Sequence, residues 1–338
     1  MSSGRPVVAV GALGGTIASS STDGSAVVPT LSAERLAEAV PGLVESAAVH
    51  AETLAMLPSP SLDEPTVLRA LCWAREQVDG GAVGVVLTQG TDTLEETSYL
   101  LDLFWDRPEP LVVTGAMRSP QSAGADGPAN LLTAVRTAVA PASRDRGVLV
   151  AFDDELHQAR WVAKTDSVAT GAFRSPVFGP LGRYVEGEAL YGAPARHPVP
   201  VELPDLRTRL EEPLPRVPLV VTHLGDKGEV LDVVTAAEPD GIVVGGFGAG
   251  HVSAEMAEVV GRAAVAVPLV FASRTGAGPT GRAMYGYPGS EVDLVRRGAI
   301  AAGWLSPFKA RLLLWTLLLT GETDGERLRA AFADRGAP

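Results

Sequence analysis

Short runs of consecutive apolar residues alternate along the chain with longer segments in which apolar residues recur every three or four positions. The short runs predict buried β-strands, for example at residues 7–10, 84–87 and 111–113. The longer segments predict amphipathic helices, for example at residues 62–78 and 127–139. Buried strands that alternate with such helices are typical of a parallel sheet with helices on both faces. The pattern therefore predicts an α/β fold.

A proline-dense segment separates two such alternating series of strands and helices. This segment, residues 193–217, predicts a linker. Before it, residues 1–192 predict a larger N-terminal α/β domain built on a parallel sheet. After it, residues 218–338 predict a smaller C-terminal α/β domain with strands and helices of its own.

Two predicted helix starts carry the pattern of a capping box. In this motif a hydroxyl side chain and a Glu three residues later each bind the other's backbone N–H group. One box pairs Ser61 with Glu64, and the other pairs Thr93 with Glu96. Both are expected to fix where the following helix begins.

The charge balance excludes several classes of partner. The 338 residues carry a formal net charge of -12, and 46% of them are hydrophobic. An acidic protein of this kind lacks the basic face that nucleic acids bind, and it is not attracted to an anionic membrane surface. We therefore expect a small-molecule ligand.

Cysteine and histidine usage gives no sign of a metal site. Cys72 is the only cysteine, so an intramolecular disulfide and a site of several thiolates are both excluded, and a buried apolar thiol is expected. The five histidines show no metal-ligand spacing.

No apolar stretch reaches the length of a membrane span, and the first residues lack the pattern of a signal peptide. We expect no cofactor and a cytoplasmic location.

Thr16 follows a glycine-rich turn at the end of the first predicted strand. Gly11, Gly14 and Gly15 let the backbone turn tightly and approach a ligand closely. Such a turn can present the Thr16 hydroxyl as a nucleophile, cradle a phosphate, or serve as an ordinary tight turn. The spacing is not G-x-G-x-x-G and no G-K-[ST] follows, so nucleotide binding finds little support.

Thr91 and Asp92 also follow a predicted strand, and the carboxyl ends of parallel strands meet at one edge of a sheet. Lys164 can complete a set with them, in which a carboxylate orients a base and the base activates a hydroxyl. A lysine buried beside a hydroxyl can act as that base in its neutral form. The alternative interpretation is that Asp92 caps its helix and that Lys164 is a surface residue.

Two further groups have both a functional and an ordinary interpretation. The backbone N–H groups at Gly115 and Ala116 follow another strand and can bind an oxyanion, although a plain strand-to-loop turn has the same pattern. Ser59 precedes a proline, and it is either a ligand contact or a turn hydroxyl.

Taken together, the motifs of this chain resemble the bacterial-type L-asparaginase family. Each motif is ordinary alone, but their joint order and spacing form a specific match that spans most of the chain. The motifs are GGTIA at residues 14–18, TQGTDTLEET at 88–97, GAMR at 115–118, ADGPANL at 125–131 and KT at 164–165.

The resemblance implies roles for particular residues. It makes Thr16 the primary nucleophile, which forms a β-aspartyl ester, and it makes Thr91, Asp92 and Lys164 a second catalytic set. It also implies that the backbone N–H groups of Thr16 and Ala116 bind the oxyanion.

The resemblance also implies how the substrate is held and which reaction takes place. Ser59, Gly90 and Asp92 match positions that bind the α-amino and α-carboxylate groups of L-asparagine. The implied reaction, in a catalytic N-terminal domain, converts L-asparagine to L-aspartate and ammonia. The implied assembly is a homotetramer of intimate dimers, with no metal or cofactor. The alternatives are a broader asparaginase/glutaminase and a non-catalytic amino-acid-binding protein on the same fold.

The chain departs from the family pattern in the loop after Thr16. Residues 19–25 are small and polar and predict a mobile lid, but the tyrosine usual in that lid is absent. Tyr285 and Tyr287 are the candidate replacements by their chemistry. Glu291 is the candidate for an acidic residue that reaches a neighbouring subunit's site.

Overall fold

The computed structural model describes residues 4–20, 28–29, 31–194, 197–203 and 205–338. The chain folds as two units, Met1–Pro200 and Val201–Pro338. Each unit has its own sheet and its own core, as the two alternating series of the sequence indicate.

The first unit contains a sheet in which the described strands lie in the order β12-β11-β8-β7-β6-β5-β1-β4. The pairs from β4 to β7 are parallel, and the pairs from β7 to β12 are antiparallel. Two small strand pairs, β2 with β3 and β9 with β10, lie outside this sheet. The strands are β1 (Val7–Gly14), β2 (Ser19–Ser20), β3 (Val28–Pro29), β4 (Ala48–Leu57), β5 (Gly84–Thr88), β6 (Leu111–Thr114), β7 (Val148–Phe152), β8 (Glu155–Gln158), β9 (Ala163–Lys164), β10 (Phe173–Arg174), β11 (Gly182–Val185) and β12 (Glu188–Tyr191).

The central strands are buried along their whole length because helices cover the sheet. Every residue of β5, β6 and β7 is buried, which explains their unbroken apolar sequences. Apolar side chains of the helices and strands form a common core. The helices of this unit are α1 (Ala33–Glu38), α2 (Leu43–Ser46), α3 (Glu64–Asp79), α4 (Leu94–Phe104) and α5 (Gly127–Val139). The helix predicted at residues 127–139 is thus confirmed.

The structure corrects both predicted capping boxes. Helix α3 is capped by Asp63, whose side chain accepts a hydrogen bond from the Thr66 N–H, and Ser61 ends a preceding 3₁₀ turn instead. Thr93 makes no side-chain cap to α4, because its hydroxyl donates to the carbonyl of Ser59. Both hydroxyls lie in short 3₁₀ turns that the sequence pattern did not indicate.

Three neighbouring parallel strands, β1, β5 and β6, end at the same edge of the sheet. Their last residues are Gly14, Thr88 and Thr114. Since β5 pairs with β1 on one side and with β6 on the other, the loops that follow these strands lie side by side. This is the edge at which ligands bind in open α/β sheets.

The second unit contains a smaller parallel sheet in the order β13-β14-β15-β16, with an apolar core of its own. Its strands are β13 (Leu219–Val221), β14 (Ile242–Gly246), β15 (Leu269–Ser273) and β16 (Ile300–Ala301). Its helices are α6 (Leu206–Arg209), α7 (Glu229–Ala236), α8 (Ala254–Ala266), α9 (Glu291–Arg296), α10 (Pro307–Leu319) and α11 (Gly325–Arg335). Helix α6 lies within the segment predicted as a linker.

Among the described residues, no helix is both long and apolar enough to cross a membrane. The apolar run in α10 is instead buried in the second unit. Cys72 is a buried thiol that forms no disulfide, as predicted.

Candidate active site

A cavity of about 250 Å³ opens beside the loops that follow β1 and β5. The residues predicted from the sequence that line this cavity are Thr16, Ser59, Gly90, Thr91, Asp92 and Lys164. Gly15 of the glycine turn and Met117 of the GAMR motif also line it, together with Pro58, Pro60 and Ser167, which the sequence patterns did not single out. The charged side chains among these are Asp92 and Lys164, so the cavity presents one carboxylate and one amine.

Thr16 is held by a turn that only glycine can form. Gly14 and Gly15 have φ angles of +99° and +84°, which lie in the left-handed region. A Cβ atom on Gly15 would lie 2.0 Å from the backbone nitrogen of Gly90, so the two loops are in direct backbone contact. Thr16 then begins a 3₁₀ turn whose next residue, Ile17, is buried in the core. Thr16 is thereby fixed next to Gly90 while its own side chain stays partly exposed.

We expect Gly15→Ala to destabilise the protein more than Gly81→Ala. Both positions have positive φ, so the left-handed conformation of an alanine should lower the unfolding free energy of both variants by about 1–2 kcal/mol. Of the two, only at Gly15 would the added Cβ collide with backbone atoms, and moving those atoms apart costs about 1–3 kcal/mol more. Denaturant unfolding of the two variants beside the wild type measures the difference. Equal losses of unfolding free energy would contradict the close approach of Gly15 to Gly90.

Lys164 joins Thr91 and Asp92 in one hydrogen-bonded set. Its amine nitrogen lies 3.0 Å from the hydroxyl oxygen of Thr91 and 2.7 Å from a carboxylate oxygen of Asp92. The Lys164 side chain is 15% exposed, whereas that of Asp92 is 60% exposed. The structure therefore places the largely buried amine between a buried hydroxyl and a carboxylate that faces solvent.

Glu95 fixes the strand that carries Lys164, and the sequence patterns did not reveal this role. One of its carboxylate oxygens accepts a hydrogen bond from the backbone N–H of Lys164 at 2.6 Å. Glu95 lies in the first turn of α4, directly after the 3₁₀ turn that holds Thr91 and Asp92. It therefore ties all members of the set to one helix start.

Ser59 is buried beneath the loop after β5. Its hydroxyl oxygen accepts a hydrogen bond from the Asp92 N–H at 3.1 Å. A Cβ atom on Gly90 would lie 2.7 Å from the same hydroxyl oxygen, so Gly90 has to lack a side chain here. The hydroxyl can still donate one hydrogen bond, which leaves it available to a ligand in the cavity.

Ala116 lies just behind the cavity wall. It does not line the cavity itself, but the next residue, Met117, does. Ala116 is fully buried, and its backbone N–H has no hydrogen-bond partner among the described residues. Buried backbone N–H groups are nearly always paired, so this one is available to a ligand.

Tyr285, Tyr287 and Glu291 lie in the second unit, where they surround His251. The two nitrogens of His251 lie 2.8 Å from the Tyr287 hydroxyl and 2.9 Å from a Glu291 carboxylate oxygen. The other carboxylate oxygen accepts the backbone N–H groups of Met284 and Tyr285 at 2.6 and 2.8 Å. Burial by itself would raise the pKa of Glu291, but these hydrogen bonds outweigh it and lower the pKa below its usual range. The roles predicted for these residues, replacement of the lid tyrosine by Tyr285 or Tyr287 and contact of Glu291 with a neighbouring subunit's site, remain predictions.

The lid predicted after Thr16 falls mostly outside the described residues. Of residues 19–25, only the first two are described, and they form β2, which pairs with β3.

Comparisons with known proteins match both units of the chain. A family profile described as "Asparaginase, N-terminal" matches residues 7–195, and one described as "Glutaminase/Asparaginase C-terminal domain" matches residues 216–332. A probable L-asparaginase from Deinococcus radiodurans is 37% identical over 337 residues, which cover 98% of each chain. A probable periplasmic L-asparaginase from Haemophilus influenzae is 35% identical, covering 97% of this chain and 93% of that protein.

A solved structure extends the likeness to three dimensions. It is described as a probable cytoplasmic L-asparaginase from Campylobacter jejuni and superimposes with a TM-score of 0.86 at 31% identity. The match covers 97% of this chain and 99% of the other.

Proposed function

The chain belongs to the bacterial-type asparaginase family and hydrolyses the side-chain amide of L-asparagine, and we propose that it does so through an ester on Thr16. The main support for the proposed mechanism is that its residues share one cavity. The Thr16 turn, the Thr91–Asp92–Lys164 set and the Ser59 hydroxyl all face one cavity of about 250 Å³. This volume suits a single amino acid better than a larger ligand.

In the first proposed step, the Thr16 hydroxyl oxygen attacks the amide carbon of the substrate. The carbonyl oxygen becomes an oxyanion, which the backbone N–H groups of Thr16 and Ala116 bind. The C–N bond then breaks, and the proton released by Thr16 ends on the ammonia that leaves. The product of this step is a β-aspartyl ester of Thr16.

In the second proposed step, water hydrolyses the ester. Thr91 accepts a proton from the water and passes its own proton to the amine nitrogen of Lys164, 3.0 Å away. The Asp92 carboxylate, 2.7 Å from that amine, stabilises the ammonium as it forms. As the ester C–O bond breaks, the Thr16 oxygen takes a proton from the Lys164 ammonium by way of Thr91, which restores both the hydroxyl and the amine, and L-aspartate leaves.

The charges of the cavity favour a zwitterionic substrate. We propose that Asp92 pairs with its α-ammonium group and that the Ser59 hydroxyl and the backbone at Gly90 hold its α-carboxylate. These groups are fixed by the contact between Ser59 and the loop after β5, so the substrate is oriented before reaction.

We expect purified protein to release ammonia faster from L-asparagine than from L-glutamine. The extra methylene of glutamine has to fit the same cavity, and one methylene changes kcat/KM by about 10–200-fold. Comparing kcat/KM for the two amides in an ammonia assay measures the ratio. A ratio near one would establish the broader asparaginase/glutaminase, which the description of the matching C-terminal family also names. Tight asparagine binding without turnover in calorimetry would instead identify a binding protein.

We further propose a homotetramer of intimate dimers in the cytoplasm. The assembly is supported by the family resemblance, and the location by the description of the Campylobacter jejuni protein as cytoplasmic. The Haemophilus influenzae relative is described as periplasmic, so the family occurs in both compartments. Light scattering of the purified protein and fractionation of the source cells test the two proposals separately.

A further inference from the structure

The ADGPANL segment at residues 125–131 supplies two side chains that the proposed mechanism does not use. They are Asp126 and Asn130, at the start of α5. Asn130 is 3% exposed, and its amide nitrogen donates to the carbonyl oxygen of Gly115 at 3.0 Å. Its amide oxygen accepts the backbone N–H of Asp153 at 3.1 Å, so both ends of the Asn130 amide are occupied. A buried side chain held at both ends has a single orientation.

The hydrogen bond to Gly115 determines where the N–H of Ala116 points. The carbonyl of Gly115 and the N–H of Ala116 belong to the same planar trans peptide and point in opposite directions. Fixing the carbonyl therefore fixes the direction of the N–H. The hydrogen bond also polarises the peptide group, which makes the N–H a stronger donor. The Ala116 N–H is buried and has no hydrogen-bond partner among the described residues, as noted for the candidate site.

Asp126 holds the next two peptide groups of the same turn. Its two carboxylate oxygens accept the N–H groups of Met117 and Arg118, each at 2.9 Å. It precedes α5 but makes no side-chain cap to that helix, so its carboxylate serves the turn instead. One of its oxygens also lies 3.3 Å from the Asn130 amide nitrogen, which joins the two residues into one network.

The start of α5 also contacts the segment that carries Thr16. A Cβ atom on Gly127 would lie 3.0 Å from a side-chain carbon of Ile17 and 3.4 Å from the Cβ of Ala116. The helix start therefore packs against both the residue after Thr16 and the turn that carries the N–H donor. A shift of α5 would change the position of both together.

We propose that Asn130 is a positioning residue for the reaction. It aims the Ala116 N–H at the oxyanion that forms when Thr16 attacks, and Asp126 holds the remainder of the turn. This inference rests on the proposed function, because it assigns the Ala116 N–H to the oxyanion.

The test is Asn130→Asp, which keeps an oxygen for the Asp153 N–H but replaces the donor to Gly115 with a second oxygen. The loss of a whole oxyanion donor costs about 10²–10³-fold in rate, and we expect a misaimed one to lower kcat by about 10–100-fold. KM for asparagine should change by no more than about twofold, since the ground-state amide carries no oxyanion. The β-carboxylate of L-aspartate can place an anionic oxygen at the Ala116 N–H, so the calorimetric Kd for L-aspartate should rise, but by a smaller factor than kcat falls.

The matched control is Thr133→Val, on the same helix. Thr133 is also buried, and its hydroxyl donates to Asp154 at 3.4 Å, away from the turn at residues 115–118. Its kcat should equal that of the wild type, even if its thermal stability falls as much as that of Asn130→Asp. If Asn130→Asp does not fold, Asp126→Asn replaces it in the test. This variant leaves one N–H of the turn unpaired and should also lower kcat by a larger factor than it raises the Kd for L-aspartate.

The outcomes distinguish a failure of the positioning role of Asn130 from a failure of the proposed function. A folded Asn130→Asp with the kcat of the wild type overturns the positioning role, and so does a parallel loss of kcat and of L-aspartate binding. An inactive wild type, or a fully active Thr16→Ala, overturns the proposed function instead. A selective loss of kcat in Asn130→Asp, with Thr133→Val unaffected, supports the inference.

Discussion

Thr16→Ala is expected to release ammonia from L-asparagine about 10⁴-fold more slowly than the wild type, or more slowly still. The substitution removes the oxygen that forms the ester, and enzymes that lose a covalent nucleophile retain only the catalysis of their oxyanion site and binding groups. The rest of the cavity stays in place, so the Kd for L-aspartate should change little. A coupled ammonia assay and calorimetry of the same preparation measure the two effects.

Thr16→Ser and Thr91→Val are the companion variants of this experiment. Thr16→Ser keeps a hydroxyl on the same turn and should retain more activity than Thr16→Ala. Thr91→Val removes a hydroxyl assigned to the second step, so rapid quenching and mass spectrometry should find the aspartyl ester accumulating on Thr16. Full activity of Thr16→Ala would show that another residue is the nucleophile.

The parallel part of the fold could be predicted because burial on both faces leaves a local signal. Strands such as β5 and β6 are buried throughout, so each appears as an uninterrupted apolar run. The antiparallel strands β11 and β12 are short and partly exposed, and their pairing with each other and with β8 depends on contacts distant in sequence. No local pattern distinguishes such pairings, so the mixed character of the sheet was not predicted.

The residues of the candidate site also differ in whether a local sequence signal reveals them. Thr16 and Thr91 were identifiable because each directly follows a strand, and the fold brings such positions to one edge. Glu95 and Asn130 were not, because each acts on a backbone group of another segment. Glu95 binds the N–H of Lys164, 69 residues away, and a Glu in the first turn of a helix otherwise resembles a residue that complements the helix dipole.

Lys164→Arg and Lys164→Met are together expected to show whether Lys164 acts as a base. Arg keeps a positive charge near Asp92 but cannot lose its proton in a protein, whereas Met has neither charge nor base. If the amine accepts the proton from Thr91, both variants should lose about 10²–10⁴-fold in kcat. If only the charge matters, Lys164→Arg should stay active while Lys164→Met does not. Steady-state ammonia release from asparagine distinguishes the two cases.

The time course of the Lys164 variants locates the affected step. The base is assigned to hydrolysis of the ester, so Lys164→Arg should release one ammonia per site in a rapid burst and then slow markedly. Loss of the burst together with the steady rate would place Lys164 in the attack by Thr16 instead. Stability is not expected to confound the comparison, because the carboxylate partner is 60% exposed and an ion pair of that kind contributes at most about 1 kcal/mol. A thermal unfolding midpoint close to that of the wild type checks this, so that a loss of turnover in these variants reports on the chemistry of the amine.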